Sequence, residues 1–481
     1  MLSPFVTIVL LLTYFAVLVV IGFWHGRTKK QEEFFTAGRS ASWYLVAFGM
    51  IGASLSGVTF ISVPGWVKNT QFSYMMMVFG YLLGYFVIAS VLMPLYYRLN
   101  LVTIYTYLGE RLGIYSHKTG SVFFFLSRLL GSALRLYLAA LVLHTFIFKE
   151  WDLPFDLTVF ITILLIWLYT FQGGIKTIIW TDTFQTFFMI LALIITIYLL
   201  SDSLSIPVIS IPQTIFEHDY AQMIFTDWSD KRHFFKQFFG GAFIALAMTG
   251  LDQDMMQKNL TCKNIKEAQK NMLGFSLILI PVNFLFMGLG VLLYMYAEKN
   301  GIPVQGDELF PHIAKNHLGS LGAIMFFLGV IAAAYSSADS AMTALTTSVC
   351  YDFLGFDRKN FSEGNKKRIR FGVHLAVSFL MLLVIVFFEK LNDKSVIDMV
   401  FKVAGYTYGP LLGLFAFAIL TKRRSWDKFS PFAAIIAPAL IFALDKNAKE
   451  WFDYAFGYEL LPLNGLITFL LLYLASVAMR K

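Results

Sequence analysis

The sequence predicts an all-α integral membrane protein with about 13 transmembrane helices. Of its 481 residues, 58% are apolar and only 14% are charged, whereas a soluble chain carries about a quarter charged residues. The apolar residues fall into stretches near the length of a membrane span, and basic residues concentrate in alternate connecting segments. These three observations exclude a soluble enzyme, a disordered scaffold and a disulfide-built secreted module, because none of these could cover so much apolar surface.

The predicted spans are the apolar stretches close to the roughly 20 residues that a helix needs to cross a bilayer. They lie at 4–25, 42–66, 72–97, 120–148, 154–171, 177–201, 235–256, 272–297, 318–350, 369–388, 396–421, 430–444 and 460–479. The first stretch precedes a basic cluster of Arg27, Lys29 and Lys30, and it has no basic segment before it and no small-residue cleavage pattern after it. We therefore expect a retained helix rather than a signal peptide.

The charges predict the orientation of the chain. With the N-terminus outside and the C-terminus inside, basic residues predominate in the inner segments and acidic residues in the outer ones, as the positive-inside rule expects. The net charge of +8 then reflects orientation and needs no nucleic-acid partner. Because no loop is long enough for a soluble domain, we expect residues 1–481 to form a single domain in the plasma (inner) membrane. The lipid bilayer surrounds it, and no obligate protein partner is evident.

Other kinds of chemistry have little support. Cys262 and Cys350 are too few for a disulfide framework and are expected to be free thiols. The eight histidines show no metal-ligand spacing, and no phosphate-binding loop ending in Lys-Ser/Thr is present, so ATP-driven transport is not expected. An integral membrane transferase would need a catalytic His or an acid pair at one membrane face. Asp252 and Asp254 are the nearest candidates for that pair.

Two spans carry residues that favour a break in the helix. The second span is rich in Gly and Ser over residues 49–59, and the seventh has glycines at both ends of residues 240–250. The two spans lie five apart, so they match the first helices of two five-helix repeats at 42–201 and 235–421, which are inverted because five is odd. One extra helix precedes this core and two follow it. The alternative is that the small residues serve close helix packing.

The ninth span has a polar stripe. Ser336, Ser340 and Thr343 share one helix face, and Asp339 adjoins that face. A carboxylate within a span normally faces a partner, a cavity or an ion, and clustered carboxylate and hydroxyl oxygens suit a small hard cation. The alternative is a packing seam in which serine hydroxyls satisfy the acid. A second acid, Asp182, lies near the inner end of the sixth span, where a solvated helix start is the alternative.

Basic residues also lie within spans. Arg128 and Arg135 are seven apart on one face of the fourth span, and Lys402 lies early in the eleventh. A guanidinium suits a carboxylate and is unfavourable inside a membrane unless it is paired. The alternatives are that Arg135 pairs with a neighbouring acid and that Lys402 extends outward to the membrane surface.

Several ordered motifs give the chain a family resemblance over nearly its whole length. They are Phe34-Phe35-Thr36-Ala37-Gly38-Arg39-Ser40, Ser56-Gly57 with Pro64-Gly65, Gly173-Gly174, Trp180-Thr181-Asp182 with Gln185, Asp252-Gln253 with Gln257, Ser336-Ser337-Ala338-Asp339-Ser340, and Tyr408-Gly409-Pro410. With these motifs the chain resembles the sodium:solute symporter family, which has the inverted-repeat fold of the leucine transporter.

The resemblance implies two cation sites, the first between the second and ninth spans and the second near the Asp of the sixth span and the end of the serine run in the ninth. The first would hold sodium with the carbonyls of Gly52, Leu55 and Ala333 and the hydroxyls of Ser336 and Ser337. Gly52 replaces a more usual Ala, which a carbonyl ligand tolerates. Some members, including sialic-acid transporters, hold a second sodium, which here implies Asp182, Ser337, Asp339 and Ser340.

The resemblance also implies a substrate class, because the site residues are most similar to those of sialic-acid members. Arg135 looks like the Arg that such members use for the substrate carboxylate. Ser54, Ser56 and Thr59 occupy positions of polar contacts, and Lys402 lies near a position that contacts sugar. The aromatic residues that stack on neutral sugars are not matched, since Met248 and Thr249 occupy that stretch.

These expectations combine into one hypothesis, a sodium-coupled secondary active symporter. It would import a small polar solute, preferably an anionic sugar acid such as sialic acid or another carboxylate, with Na⁺ as its coupling ion. A neutral sugar, a polyol or an amino acid is the alternative substrate. An ion channel is not favoured, because a single asymmetric bundle offers no repeated filter loop.

Overall fold

The computed structural model describes residues 4–25, 31–390, 396–423, 426–454 and 456–478, and within these ranges the chain is helical and forms no β-strand beyond isolated bridges. Arg27, Lys29 and Lys30 lie outside the described residues. The α-helices are α1 (Pro4–His25), α2 (Gln31–Thr36), α3 (Trp43–Thr70), α4 (Tyr74–Val87), α5 (Met93–Arg98), α6 (Thr106–Arg111), α7 (Ile114–Leu143), α8 (Phe155–Leu204), α9 (Ile211–Glu217), α10 (Phe234–Ala245), α11 (Gln253–Asn259), α12 (Ile265–Lys299), α13 (Leu309–Asn316), α14 (Gly319–Ser348), α15 (Glu363–Glu389), α16 (Val396–Leu420), α17 (Ser430–Phe452) and α18 (Leu460–Ala478).

The helices confirm an all-α, multi-pass membrane protein. Among the described residues, 10 helical segments are long and apolar enough to cross a membrane, or up to 11 when the bent pair Phe234–Gly250 and Gln253–Asn259 counts as one span. Each predicted apolar stretch coincides with helix. Residues 43–98 form one apolar run that turns at Gln71, and Phe155–Phe171 is a shorter apolar helix. The count of thirteen spans and the inverted relation of the two repeats stay predictions.

One group of helices forms the centre of the bundle. α14 packs against α3, α7 and α8, and α3 packs against α8 and α12. α10 lies against α4, and α16 lies against α7. The first and last helices are peripheral: α1 contacts α8, while α17 and α18 contact each other and α16. Residues 326–348 of α14 are buried throughout, so this helix is enclosed by protein rather than by lipid.

Breaks interrupt the central helices at defined residues. In α3 the break is Ser56, whose φ of 52° and ψ of 172° are not helical. In α8 it is Gly174, with a φ of 54°. α10 ends in a π-turn over Leu246–Gly250, and α11 then leaves at an angle of 71°. Both spans that the sequence singled out therefore break, although the break in the seventh falls beyond its glycines, at Leu251 and Asp252.

The break at Ser56 is significant because it falls on a residue with a side chain. A positive φ is uncommon outside glycine, and such backbone strain persists only where the surrounding structure enforces it, which is typical of functional sites. A break within a span also frees backbone carbonyls that the helix would otherwise use. The residues before Ser56 can therefore offer carbonyl oxygens to a cation.

Glycines let α4 and α10 approach closely. A Cβ added to Gly80 would overlap the carbonyl oxygen of Phe238, and one added to Gly241 would overlap that of Met77. Each helix thus places a glycine against a backbone carbonyl of the other helix. A side chain at either glycine would force the two backbones apart. Close approach through small residues is a common way for membrane helices to pack.

We expect Gly80→Ala and Gly241→Ala each to destabilise the protein by about 1–3 kcal/mol through overpacking. Thermal unfolding of the purified protein in detergent measures this. Gly372→Ala is the matched control, since nothing lies within 4 Å of its added Cβ, and it should be neutral or slightly stabilising. Equal melting temperatures for all three variants would contradict the close-packing interpretation.

Candidate functional site

The break in α3 lies against α14 and α8. A Cβ on Gly52 would contact Thr186 Oγ1 and would lie 3.3 Å from Ser336 Oγ. The Gly52 amide donates a hydrogen bond of 3.0 Å to Thr186 Oγ1. The structure therefore brings Gly52 and Ser336, two of the predicted sodium ligands, to the same interface. It also explains the glycine, because an alanine here would displace the Thr186 side chain.

The two serine hydroxyls of the predicted sodium site differ in their partners. Ser336 Oγ donates to Asp182 Oδ1 over 2.7 Å. Ser337 Oγ is buried and has no hydrogen-bond partner among the described residues. A buried polar atom left without a partner costs about 1–3 kcal/mol. The unpartnered Ser337 oxygen beside a broken helix therefore fits the donor set of a hard cation such as sodium.

Asp182 forms a buried ion pair that the sequence analysis did not predict. Its Oδ2 lies 2.6 Å from Lys258 Nζ, and the two side chains are 1% and 2% exposed. The alternative of a solvated helix start for Asp182 is therefore wrong. Lys258 belongs to α11, which lies beyond the bend in the seventh span. It directly follows Gln257 of the family motif, which is the one sequence feature that points to it.

Asp339 lies beside this ion pair. It accepts hydrogen bonds from Tyr169 Oη over 2.9 Å and from Ser340 Oγ over 3.2 Å. Ser340 Oγ also lies 3.5 Å from Asp182 Oδ2, so it connects the two carboxylates. The cluster thus holds two acids and one ammonium, all nearly inaccessible to solvent. Three of the residues predicted for the second cation, Asp182, Asp339 and Ser340, therefore lie in contact with one another. Lys258 is an additional member of this cluster.

A cavity of about 80 Å³ adjoins the break in α3. Ser54, Ser56, Thr59 and Arg135, which were predicted to contact substrate, all line it. So do residues that the sequence analysis did not assign to substrate: Tyr74, Tyr81, Tyr85, Arg128, Thr249 and Asn283. Hydroxyl, amide and guanidinium groups therefore reach this space. The other lining residues are apolar: Ala53, Leu55, Val58, Ile244, Ala245, Met248, Met255, Leu279, Val400 and Phe401.

The two arginines of α7 differ in their partners. Arg128 forms a buried ion pair with Asp254, and its Nη1 lies 3.8 Å from Asp252 Oδ2. Tyr408 donates a hydrogen bond to Asp252. Arg135 forms no hydrogen bond or ion pair with any residue that the structure describes. The nearby acids are engaged with Arg128, so the alternative that Arg135 pairs with a neighbouring acid is not observed.

Lys402 lies apart from this cavity. It lines a wider vestibule of about 640 Å³ together with Trp66, Thr70, Asp230 and Tyr458. The Lys402 side chain is 61% exposed, and its Nζ lies 3.6 Å from Asp445 Oδ2. The outward alternative for Lys402 is therefore the one observed. The vestibule and the cavity adjoin, since Tyr74, Ile244 and Phe401 line both.

Comparison with known proteins confirms the family. A sequence model of the sodium:solute symporter family matches residues 34–427. The sodium/sialic acid symporter NanT of Aliivibrio fischeri is 24% identical over 432 residues, which cover 86% of this chain and 83% of that protein. Sodium-coupled monocarboxylate transporter 2 of Danio rerio is 25% identical over 404 residues, covering 81% of this chain and 63% of the relative.

Solved structures show the same fold. The substrate-bound outward-open state of a Na⁺-coupled sialic acid symporter aligns with a TM-score of 0.83 at 19% identity, over 98% of each chain. Mhp1, a nucleobase-cation-symport-1 family transporter in a closed conformation, aligns with a TM-score of 0.58 at 14% identity. The chain therefore belongs to the sodium:solute symporter family, and it is a sodium-coupled membrane transporter and not an enzyme.

Proposed function

We propose that this symporter imports a small organic solute that carries a carboxylate, with sialic acid as the preferred candidate. The observation that supports this best is Arg135, whose guanidinium lines the cavity without a partner among the residues that the structure describes. An unpaired guanidinium inside a membrane protein is unfavourable, and its planar fork matches a carboxylate in a bidentate pair. A carboxylate on the solute supplies the missing partner.

The rest of the lining and the relatives agree with this substrate class. Ser54, Ser56, Thr59 and Asn283 offer hydroxyl and amide groups to a solute that has several polar substituents. The two relatives described above are named for sialic acid and for monocarboxylates, and both of these carry a carboxylate. The polar lining favours the hydroxyl-rich sugar acid over a simple monocarboxylate.

Sodium would bind where the broken α3 meets α14. The carbonyls of Gly52, Leu55 and Ala333 and the hydroxyls of Ser336 and Ser337 would hold it, and the unpartnered Ser337 oxygen supports this assignment. The ion would join the broken helix to its neighbour and so stabilise the substrate-binding state, which requires different sodium affinities in the two states. Each sodium that moves inward contributes about 2.3 kcal/mol per 100 mV.

A second cation would bind at the cluster of Asp182, Ser337, Asp339 and Ser340. Two carboxylates face a single ammonium there, so one buried negative charge remains uncompensated when both acids are ionised. A buried charge without a partner is strongly unfavourable. A second monovalent cation beside Asp339 neutralises it.

The orientation proposed for the chain follows its charges. With the N-terminus outside and the C-terminus inside the plasma membrane, the vestibule that Trp66 and Tyr458 line opens to the outside. The solute would then enter through the vestibule and reach Arg135 from that side.

Substitution of Arg135 tests the substrate class. In proteoliposomes, Arg135→Ala should lower sodium-driven sialic acid uptake by about 10- to 100-fold, since a charge-assisted hydrogen bond is worth about 1.5–3 kcal/mol. Arg135→Lys should restore little of it, because an ammonium lacks the planar fork. Arg358→Ala, in an exposed ion pair, is the control and should transport normally.

Binding measurements on the same variants extend the substrate test. Sodium-dependent thermal stabilisation should persist in Arg135→Ala, which separates solute binding from ion binding. Lactate and glucose serve as comparison solutes for the wild-type protein. Normal sialic acid uptake by Arg135→Ala, or stabilisation of the wild type by glucose but by neither acid, would rule out the carboxylate proposal.

Sodium titration tests the two cation sites. If two sodium ions bind, the Hill coefficient of sodium activation can approach about 2. Asp339→Asn should lower it towards about 1 while leaving uptake sodium-dependent, whereas Ser337→Ala should weaken apparent sodium affinity itself. Ser378→Ala, a hydroxyl bonded within its own helix, is the matched control. An unchanged Hill coefficient in Asp339→Asn would argue against the second site.

A double-mutant cycle tests the Lys258–Asp182 pair. Lys258→Met or Asp182→Asn alone should destabilise the protein by about 3–5 kcal/mol, because each leaves its partner charged and buried. The double variant should recover much of that loss in thermal unfolding. Additive effects of the two substitutions would show that the pair does not interact in the folded protein.

A further inference from the structure

We propose that Arg128, Asp252, Asp254 and Tyr408 form the gate that closes the end of the cavity opposite the vestibule, and that the carboxylate of the solute displaces Asp254 from Arg128 when this gate opens. We call these four residues the inner cluster. The second half of the inference rests on the proposed carboxylate substrate, whereas the first half depends only on the position and burial of the inner cluster.

The inner cluster lies at the far end of the cavity from the vestibule. Ile244 lines both spaces, and beyond it the chain runs to Asp252 without lining the vestibule again. Arg128 lines the cavity but not the vestibule. Arg128 is two helical turns, about 10 Å, from Arg135 along α7. A solute that enters from the vestibule would thus reach Arg135 first and Arg128 second.

The inner cluster joins three separate elements. Arg128 is on α7, Tyr408 is on α16, and the acids lie at the bend between α10 and α11. Asp252 is the N-cap of α11 and accepts from the amides of Asp254 and Met255 over 2.9 and 3.3 Å. All members of the cluster are at most 4% exposed. Any passage through this end therefore requires that these elements separate.

A second layer closes the same end. Tyr105 donates to the carbonyl of Leu251 over 2.8 Å. The Gln253 side chain bonds to the backbone of Val102 and Ile104 over 2.8 and 2.9 Å. These contacts attach the bend to the loop before α6. The bend is therefore held from both sides, and Arg128 is the charged member that faces the cavity.

The arrangement of charges allows another carboxylate to replace Asp254 as the partner of Arg128. Two carboxylates share one guanidinium, and both Asp254 Oδ1 and Arg128 Nε lack a hydrogen-bond partner among the described residues. The second acid therefore has no cation of its own, and Arg135, two turns away, is the next guanidinium on α7. When a solute carboxylate binds Arg135, it offsets that positive charge, and the inner cluster gains a negative neighbour. The solute then competes with Asp254 for the free edge of Arg128, where a bidentate pair can form.

A purely structural ion pair is the alternative explanation. In that case neutralising Asp254 would weaken the fold generally and would not open this end of the cavity. The two explanations therefore differ in where solvent gains access and in whether the solute changes that access.

Cysteine accessibility distinguishes the two explanations. Val403 adjoins Arg128 and Tyr408, so Val403→Cys in a Cys262→Ala/Cys350→Ala background reports on this end. The full-length protein is reconstituted in sodium buffer and labelled with a membrane-impermeant maleimide added from each side separately. Asp254→Asn should raise labelling from the side opposite the vestibule about tenfold. Asp254→Glu, which keeps the charge, and Asp357→Asn, in an exposed pair, should label like the reporter alone.

The solute effect is measured on the same reporter. Sialic acid added with sodium should accelerate labelling from the side opposite the vestibule in the Val403→Cys reporter, and should have no further effect in its Asp254→Asn form. Tyr408→Phe is a milder variant, because it removes only the hydroxyl that bonds to Asp252. It should raise labelling about threefold, and it replaces Asp254→Asn in the test if that variant does not fold.

Each result decides one part of the inference. Labelling of folded Asp254→Asn at the rate of the reporter alone, or an equal rise in Asp357→Asn, would refute the gate. Sialic acid acceleration that persists in Asp254→Asn would refute displacement. If neither sialic acid nor lactate stabilises the wild-type protein, the substrate proposal fails, while the labelling in sodium alone still decides the gate.

Discussion

The ion pair between Lys258 and Asp182 determines how the interior of this protein is arranged. It holds α11 against α8, and through the Ser336 hydroxyl on the same carboxylate it also holds α14. A charge at this depth is tolerated only with a partner. The three helices therefore cannot be moved independently without exposing Lys258 or Asp182.

Helix α11 is held by buried charges at both of its ends. Asp252 and Asp254 at its start contact Arg128, and Lys258 near its end contacts Asp182. The helix is only 7 residues long, so both charged contacts are made by one short element. One end contacts Arg128, which lines the proposed solute cavity, and the other contacts Asp182 of the proposed cation cluster. A displacement of α11 at the cavity therefore changes the surroundings of the cation cluster as well, which is the kind of physical link that coupled transport requires.

Much of the site could be predicted because charge inside a membrane is costly. Charged residues within apolar spans can be identified from the sequence, and four of them lie in the interior: Arg128, Arg135, Asp182 and Asp339. Lys258 was missed for the opposite reason. It lies beyond the bend, in a polar stretch before Lys263 and Asn264 that is typical of an exposed loop, and only the fold returns this stretch to the protein interior. The family resemblance placed Lys402 near the substrate, but sequence position does not give side-chain direction.

The sequence by itself determined the membrane-spanning helices, two of the helices that break, the family and the residue types proposed for the cation cluster. These follow from composition, helical periodicity and motif order, which are local properties of the chain. The tertiary structure alone decided the pairing of the charges: Arg128 with the acids at the bend, Lys258 with Asp182, and Arg135 with no residue that the structure describes. Pairing depends on which helices meet and in what rotation, and residues far apart in sequence compete for the same partner. That competition leaves Arg135 without a partner among the described residues, which is the basis for proposing that it binds the solute.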